Sequence, residues 1–259
     1  MNDDTEMDDR RHRLDELETK GYCVVRQLFE RSLVESCRKA VWSTLLAHIA
    51  SREPNRGAHR HFLPMPFDPP CFAQEFFFDE TIMDIARSTL GDRVVADQWG
   101  CDVALEGSTF QGVHADYARP LFGEMPDLAL PPYMLLVSFG LSRIISESGP
   151  IEIAPATHRM ARGKAMHAVE SGEISLRPVE LEIGDVLIRH PWALHRGSPN
   201  TTTNPRALVS IRYVRHWYAD GSRDVAAMPR AVWEALTVEQ HRVLRFPIAG
   251  VTAARTHPS

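Results

Sequence analysis

Apolar residues recur at helical spacing in the first third of the chain. The clearest case is SLVESCRKAVWSTLLAHIA at residues 32–50, where apolar side chains lie three and four positions apart and Ser32 is placed to cap the first turn. Shorter helices are predicted at 14–21 and 81–91, each ended by a glycine. The first ten residues are rich in carboxylates and poor in apolar side chains, which predicts a disordered tail.

The pattern changes to strand spacing after about residue 92. Short β-branched runs separated by Gly, Pro and Asn follow one another: RVVADQW, DVALEG, YMLLVSFGL, PIEIAP, VLIRHP and ALVSIRYV. No helical pattern intervenes until a closing helix at 229–245, so we expect an antiparallel sandwich or barrel over roughly 92–216. An earlier strand is predicted at 22–29, and a proline-rich, extended segment at 51–73. We expect residues 1–259 to form a single domain.

Composition narrows the class of protein without identifying it. The chain has 259 residues, 44% hydrophobic and 24% charged, as expected for a globular protein. A net charge of −5 gives no basic excess, so we expect no nucleic-acid partner. Four scattered cysteines without a CxxC pair indicate reduced thiols and a cytoplasmic location. We expect no signal peptide and no membrane association, because no long apolar run is present.

One candidate metal site combines GVHADY (112–117) with a distant histidine. In an extended segment, His114 and Asp116 point to the same side, and His195 must come from elsewhere in the fold. Two imidazoles and one carboxylate on one face of an ion leave the opposite positions open, which suits non-heme Fe(II). Catalytic zinc uses the same ligand types. An HxD pair is common by chance among twelve histidines, so it needs support from another motif.

That support comes from IGDVLIRHPWALHRGSPNTTTNPRALVSIRY. A turn at Gly184 and Asp185 precedes a strand, His195 follows a short loop, and Arg206 begins the next strand. If the two strands are antiparallel neighbours, His195 and Arg206 point into the same cavity. The planar guanidinium fork of arginine binds carboxylates in a bidentate manner, so Arg206 suits the distal carboxylate of a 2-oxo acid. The alternative is an ordinary surface arginine at the start of a strand.

Four stretches in this order resemble the phytanoyl-CoA dioxygenase family of Fe(II)- and 2-oxoglutarate-dependent oxygenases. They are TKGYCVVRQLFERSLVESCRKAV (19–41), GVHADY (112–117), SESGPIEIAPATHR (146–159) and LEIGDVLIRHPWALHRGSPNTTTNPRALVSIRYV (181–214). The resemblance covers roughly residues 19–214. It implies a mainly β fold with flanking helices, built on a double-stranded β-helix, the cupin-like jelly roll.

The resemblance also assigns roles to residues. His114, Asp116 and His195 match the iron ligands of the family, and Arg206 matches the residue that binds the C5 carboxylate of 2-oxoglutarate. The implied cofactor set is Fe(II), 2-oxoglutarate as co-substrate, and O2. Related halogenases carry a small residue where this chain has Asp116, so the resemblance implies hydroxylation or another oxidation rather than halogenation.

The substrate side of the site is less defined. Gln98 is a candidate for binding 2-oxoglutarate, and Tyr117, Arg119 and Trp192 are candidate wall residues because they flank the predicted ligands. Residues 118–132 are proline-rich and predict a lid loop.

The function expected from these observations is oxidation of a small organic molecule with release of succinate and CO2. Two alternatives stay open. A zinc or other metal-dependent hydrolase would use the same three ligands without needing Arg206 in the cavity, and a non-catalytic jelly-roll protein would only bind.

Overall fold

Two antiparallel β-sheets frame the protein, for which a computed structural model describes residues 3–116, 131–218 and 225–251. The larger sheet has the order β1-β7-β4-β9-β3-β2 and the smaller one β6-β5-β8. The strands are β1 (Tyr22–Val25), β2 (Arg60–Pro64), β3 (Val94–Ala104), β4 (Met134–Gly140), β5 (Ile151–Ile153), β6 (Arg177–Val179), β7 (Val186–Arg189), β8 (His195–Gly197) and β9 (Arg206–Arg215). The predicted mainly antiparallel architecture is therefore confirmed.

Helices flank these sheets. They are α1 (Asp3–Lys20), α2 (Arg31–Ser51), α3 (Gln74–Phe78), α4 (Glu80–Leu90), α5 (Arg162–Glu170), α6 (Arg230–Glu234) and α7 (Val238–Val243). The predicted helix at 32–50 corresponds to α2, but the predicted Ser32 cap is wrong: Glu30 precedes the first turn and makes no side-chain cap bond. Among the described residues, no helix has the length and apolar character needed to cross a membrane.

The prediction of a disordered N-terminal tail is wrong for residues 3–10, which begin helix α1. Arg10 donates hydrogen bonds to Asp84 at 2.5 Å and to Ser88 at 2.9 Å, both on α4. Leu17, further along α1, is only 5% exposed. The helix therefore extends beyond the predicted 14–21. The tertiary contacts that stabilise the additional residues cannot be predicted from amino-acid composition.

The large sheet also begins earlier than predicted. Strands β1 and β2 lie outside 92–216, yet β1 pairs with β7 and β2 pairs with β3. The segment 51–73 thus contains a strand, and the closing helix predicted at 229–245 is divided into α6 and α7. The division falls at Thr237, whose hydroxyl accepts the Gln240 N–H in a capping box that starts α7.

Alternation along β9 separates the core from the site. Ala207, Val209, Ile211 and Tyr213 join the main hydrophobic core, whose helical side comes from α2, α3 and α4. Arg206, Leu208 and Ser210 line a cavity on the opposite face. This separation follows from the two-residue period of a strand, and it places polar side chains between the sheets without exposing the apolar core.

Candidate metal centre

Three predicted ligands converge where a loop meets strand β8. His114 and His195 form an antiparallel bridge, in which each backbone N–H donates to the other residue's carbonyl at 2.9 and 2.8 Å. The Asp116 N–H donates to the Pro191 carbonyl at 2.9 Å. The carboxylate then lies 4.0 Å from His114 Nε2 and 3.6 Å from His195 Nε2. One donor atom from each residue lies within 4.8 Å of the other two, so the set can hold a metal ion.

Backbone carbonyls orient both imidazoles. His114 Nδ1 lies 2.8 Å from the Gly112 carbonyl, and His195 Nδ1 lies 2.8 Å from the Ala193 carbonyl. A carbonyl only accepts, so each Nδ1 carries the proton in the neutral ring and each Nε2 keeps its lone pair. Both Nε2 atoms face Asp116. Metal-binding histidines are commonly oriented in this way by a carbonyl behind the ring.

The electrostatics of the site favour a cation. Burial disfavours the charged form of Asp116, but Arg189 at 2.6 Å and the neighbouring His195 hold the pKa of this carboxyl well below its usual range. Burial, followed by the charge of Arg189, lowers the pKa of His195 to about 3. At neutral pH the site therefore offers an ionised carboxylate and a neutral His195 imidazole, the protonation states that a metal ion requires.

Arg206 faces the same cavity from the opposite sheet. We predicted that His195 and Arg206 lie on neighbouring antiparallel strands, and this is wrong: β8 is in the small sheet and β9 in the large one. Arg206 is 3% exposed, and its Nε donates to the Gly149 carbonyl at 3.0 Å. Its Nη1 donates to the carbonyl and the carboxylate of Asp102, both at 3.1 Å. Within the described residues Nη2 makes no hydrogen bond, so a fixed fork retains a donor for a ligand.

A cavity of about 540 Å³ connects these groups. Gln98 and Phe62 lie on its wall. Its described lining is Arg56, Phe62, Gln98, Asp102, Gln111, His114, Asp116, Leu136, Ser138, Ile151, Arg189, His195, Gly197, Arg206, Leu208 and Ser210. The volume suits a small co-substrate together with part of a second molecule.

The candidate wall residues are only partly placed by the structure. Trp192 does not line this cavity in the described structure: its ring packs 4.9 Å from Tyr133 and 5.1 Å from His190, and it lines a separate cavity beside α1. Tyr117, Arg119 and all but the end of the predicted lid at 118–132 lie outside the described residues.

Sequence reasoning missed two charged cavity residues that pair with predicted site residues. Arg189 bonds to Asp116 and Asp102 bonds to Arg206. The sequence signal for these residues is the two-residue alternation along VLIR and along VVADQWGCDVA. This alternation separates the two faces of each strand. It could not show which side chain on another strand each residue meets.

A model of the family described as phytanoyl-CoA dioxygenase (PhyH) matches residues 17–208, more than half of the chain. The protein belongs to this family. Membership confirms the prediction of an oxidoreductase of the Fe(II)- and 2-oxoglutarate-dependent dioxygenase class, with iron, 2-oxoglutarate and O2 as its cofactors and co-substrates.

Individual proteins are similar to this chain in sequence or in fold. The dioxygenase af480 of Aspergillus fumigatus is 21% identical over 243 residues, covering 90% of this chain and 76% of the relative. HygX of Streptomyces hygroscopicus, solved with nickel and 2-oxoglutarate, matches with a TM-score of 0.60 at 17% identity, covering 92% of this chain and 96% of that one.

A further solved structure is the epimerase SnoN from nogalamycin biosynthesis. It was determined in complex with Fe3+, α-ketoglutarate and nogalamycin RO. It matches with a TM-score of 0.60 at 17% identity, covering 80% of this chain and 84% of its own. These similarities confirm the predicted jelly-roll fold.

Proposed function

We propose that this protein is an Fe(II)- and 2-oxoglutarate-dependent dioxygenase that hydroxylates or otherwise oxidises a small organic molecule. In this proposal His114, Asp116 and His195 bind the iron, and Arg206 binds the C5 carboxylate of 2-oxoglutarate. The observation that carries the proposal is the cavity itself, in which a buried arginine faces a two-histidine, one-carboxylate set from the opposite sheet.

The donor set fits a ferrous ion. Both Nε2 atoms are directed at the carboxylate, and the other ring nitrogens are held by carbonyls. Three protein ligands on one side leave further coordination positions for a chelating co-substrate and for O2. A bound ferrous ion with 2-oxoglutarate supplies the oxidising chemistry with dioxygen and releases succinate and CO2.

The protein's own residues provide orientation. Arg206 is held by Asp102 and Gly149, so a carboxylate entering the cavity meets a guanidinium that is already fixed. Ser138 and Ser210, which hydrogen-bond to each other at 2.8 Å, lie on the wall between this arginine and Gln98. We propose that Gln98 assists in holding the 2-oxo acid, since its side chain lines the same wall.

The alternatives make different use of the site. A hydrolase with the same three ligands has no need of Arg206 in the cavity. A binding protein without catalysis needs no metal ligands. The epimerase SnoN has a similar fold, so the proposal includes oxidative reactions whose outcome is not hydroxylation. The cytoplasmic location and the single-domain organisation remain predictions.

Succinate release separates these functions. With Fe(II), ascorbate and 2-oxoglutarate in air, the protein should form succinate, slowly without substrate and faster with one. Asp116→Ala should reduce this to the level of free Fe(II), because it removes the anionic ligand. His167→Ala, an exposed histidine on α5, is the matched control and should retain the wild-type rate. Succinate formation by Asp116→Ala at the wild-type rate would contradict the ligand assignment.

A further inference from the structure

We propose that Arg189 is a positioning residue of the metal centre, which holds Asp116 by one carboxylate oxygen and leaves the other for the ion. The inference rests on the proposed function and assigns a role to a residue outside the predicted ligand set. Arg189 Nη2 donates to Asp116 Oδ2 at 2.6 Å, and the guanidinium lines the cavity.

The sheet fixes the position of Arg189. It is the last residue of β7 and lies between two strands, opposite Tyr22 on β1 and Leu136 on β4. Its side chain is 9% exposed. Asp116 is anchored to the same segment, because its N–H donates to the carbonyl of Pro191, two residues after Arg189. The backbones of Arg189 and Asp116 are therefore both fixed to the end of β7, which restricts rotation of the carboxylate.

A second arginine–aspartate pair in the barrel shows what is unusual here. Arg212 donates from Nε to Asp97 Oδ1 at 2.7 Å and from Nη2 to Oδ2 at 2.6 Å, so it occupies both carboxylate oxygens. Such a two-pronged pair is the stronger arrangement. Arg189 instead engages only Oδ2, while Oδ1 lies 4.0 Å from His114 Nε2. The single-ended contact leaves Oδ1 without a bond from Arg189 on the side of His114, while Oδ2 also lies 3.6 Å from His195 Nε2.

A second nitrogen of Arg189, Nη1, also supports a positioning role in the metal-bound protein. Within the described part of the chain, its Nη1 is buried and has no hydrogen-bond partner. An unpaired buried donor destabilises the folded protein, so stability alone does not explain the placement of this guanidinium. Its positive charge also repels a divalent cation bound nearby. A positive side chain beside a metal site favours metal binding only if another effect outweighs this repulsion. Orientation of the Asp116 carboxylate is such an effect.

The two effects of Arg189 predict opposite results when it is removed. If its charge alone mattered, Arg189→Gln would tighten metal binding by removing repulsion. If it positions Asp116, the same variant weakens binding by about 10- to 100-fold, the usual cost of removing a partner of a metal ligand. Arg189→Lys keeps one donor and should lose less than about tenfold, since the native contact is single-ended.

The test is calorimetric titration of the full-length protein with Co(II), together with the visible spectrum of the bound ion. Arg189→Gln should bind more weakly and give an altered spectrum, and Arg189→Lys should recover much of the affinity. The matched control is Arg143→Gln, which breaks an exposed 2.6 Å pair with Glu182 and should bind as the wild type does. Thermal unfolding without metal reports any general loss of structure.

A double-mutant cycle shows whether Arg189 acts through Asp116. In an Asp116→Asn background, adding Arg189→Gln should change Co(II) affinity by less than about twofold, because the oriented group is gone. An undiminished loss in that background, or wild-type or tighter binding by Arg189→Gln alone, would overturn the inference. Failure of the wild-type protein to bind Co(II) would instead contradict the proposed function itself.

Discussion

Replacing Arg206 by glutamine should selectively weaken binding of a 2-oxo acid with a second carboxylate. Arg206 is buried and lines the cavity; its Nε donates to Gly149 and its Nη1 donates to Asp102, and within the described residues its Nη2 makes no hydrogen bond. Hydrogen bonds to charged groups contribute about 1.5–3 kcal/mol each. Losing one such bond, with part of the attraction between the charges, corresponds to about 2–3 kcal/mol. That is a loss of about 30- to 160-fold in affinity.

The assay compares two ligands under anaerobic conditions with Fe(II). 2-Oxoglutarate carries the distal carboxylate, and 2-oxobutyrate lacks it while keeping the chelating end. The wild type should prefer 2-oxoglutarate, and Arg206→Gln should lose most of this preference while binding 2-oxobutyrate almost as before. Arg206→Lys retains the charge and the pair with Asp102 but not the planar fork, so it should lie between the two.

The ratio of the two affinities is the decisive quantity, because general destabilisation lowers both. Removing Arg206 also leaves Asp102 without its partner, so circular dichroism and thermal unfolding should accompany each titration. If folded Arg206→Gln keeps the wild-type preference for 2-oxoglutarate, Arg206 does not bind the distal carboxylate and the assignment of that end of the cavity is wrong.

Two further predictions concern stability. Burial lowers the pKa of His190 to about 3, so between pH 6.5 and 3 the unfolded chain binds a proton that the folded chain does not, and stability falls as pH falls. From pH 7 to 5 the free energy of unfolding should fall by about 2 kcal/mol because of His190, and His190→Asn should lack this part of the fall when unfolding is measured in urea. An equal pH dependence of the free energy of unfolding in the two proteins would contradict this prediction. Asp185 is 1% exposed and accepts the Gln27 and Glu182 N–H groups at 2.9 and 3.0 Å. Asp185→Asn should therefore lower the free energy of unfolding by about 2–3 kcal/mol without changing the residues of the cavity. A loss below about 0.5 kcal/mol would show that these hydrogen bonds do not stabilise the turn.

The candidate site residues were predictable because they fall in two short motifs, each local in sequence. His114 and Asp116 are two residues apart, and His195 and Arg206 lie on either side of one polar turn. A short motif records such spacing directly. The fold class was predictable for a similar reason, since β-branched runs bounded by turn residues mark strands without reference to their partners.

Pairing between distant strands was not predictable. β1 joins the large sheet beside β7, which lies more than 160 residues later, and nothing in either run indicates that pairing. In β3 a register shift between Ala96 and Gln98 interrupts the alternation and places Asp97 against Arg212. Roles that depend on such pairings, including those of Arg189 and Asp102, therefore appear only in the folded protein.

The N-terminal helix illustrates a different limit. Its acidic sequence has little apolar character, and its order comes from contacts such as Arg10 with Asp84. Composition describes the isolated segment, whereas the helix depends on α4 being present.

The most direct test of the central claim is an anaerobic titration of the protein with Fe(II) and then 2-oxoglutarate, followed by visible absorption. Chelation of the co-substrate by iron held at His114, Asp116 and His195 should give a charge-transfer band that requires both additions and saturates at one equivalent of each. His195→Ala should give no band, and His167→Ala should give the wild-type band. A wild-type protein that gives no band, or a band of full intensity from His195→Ala, would contradict the account.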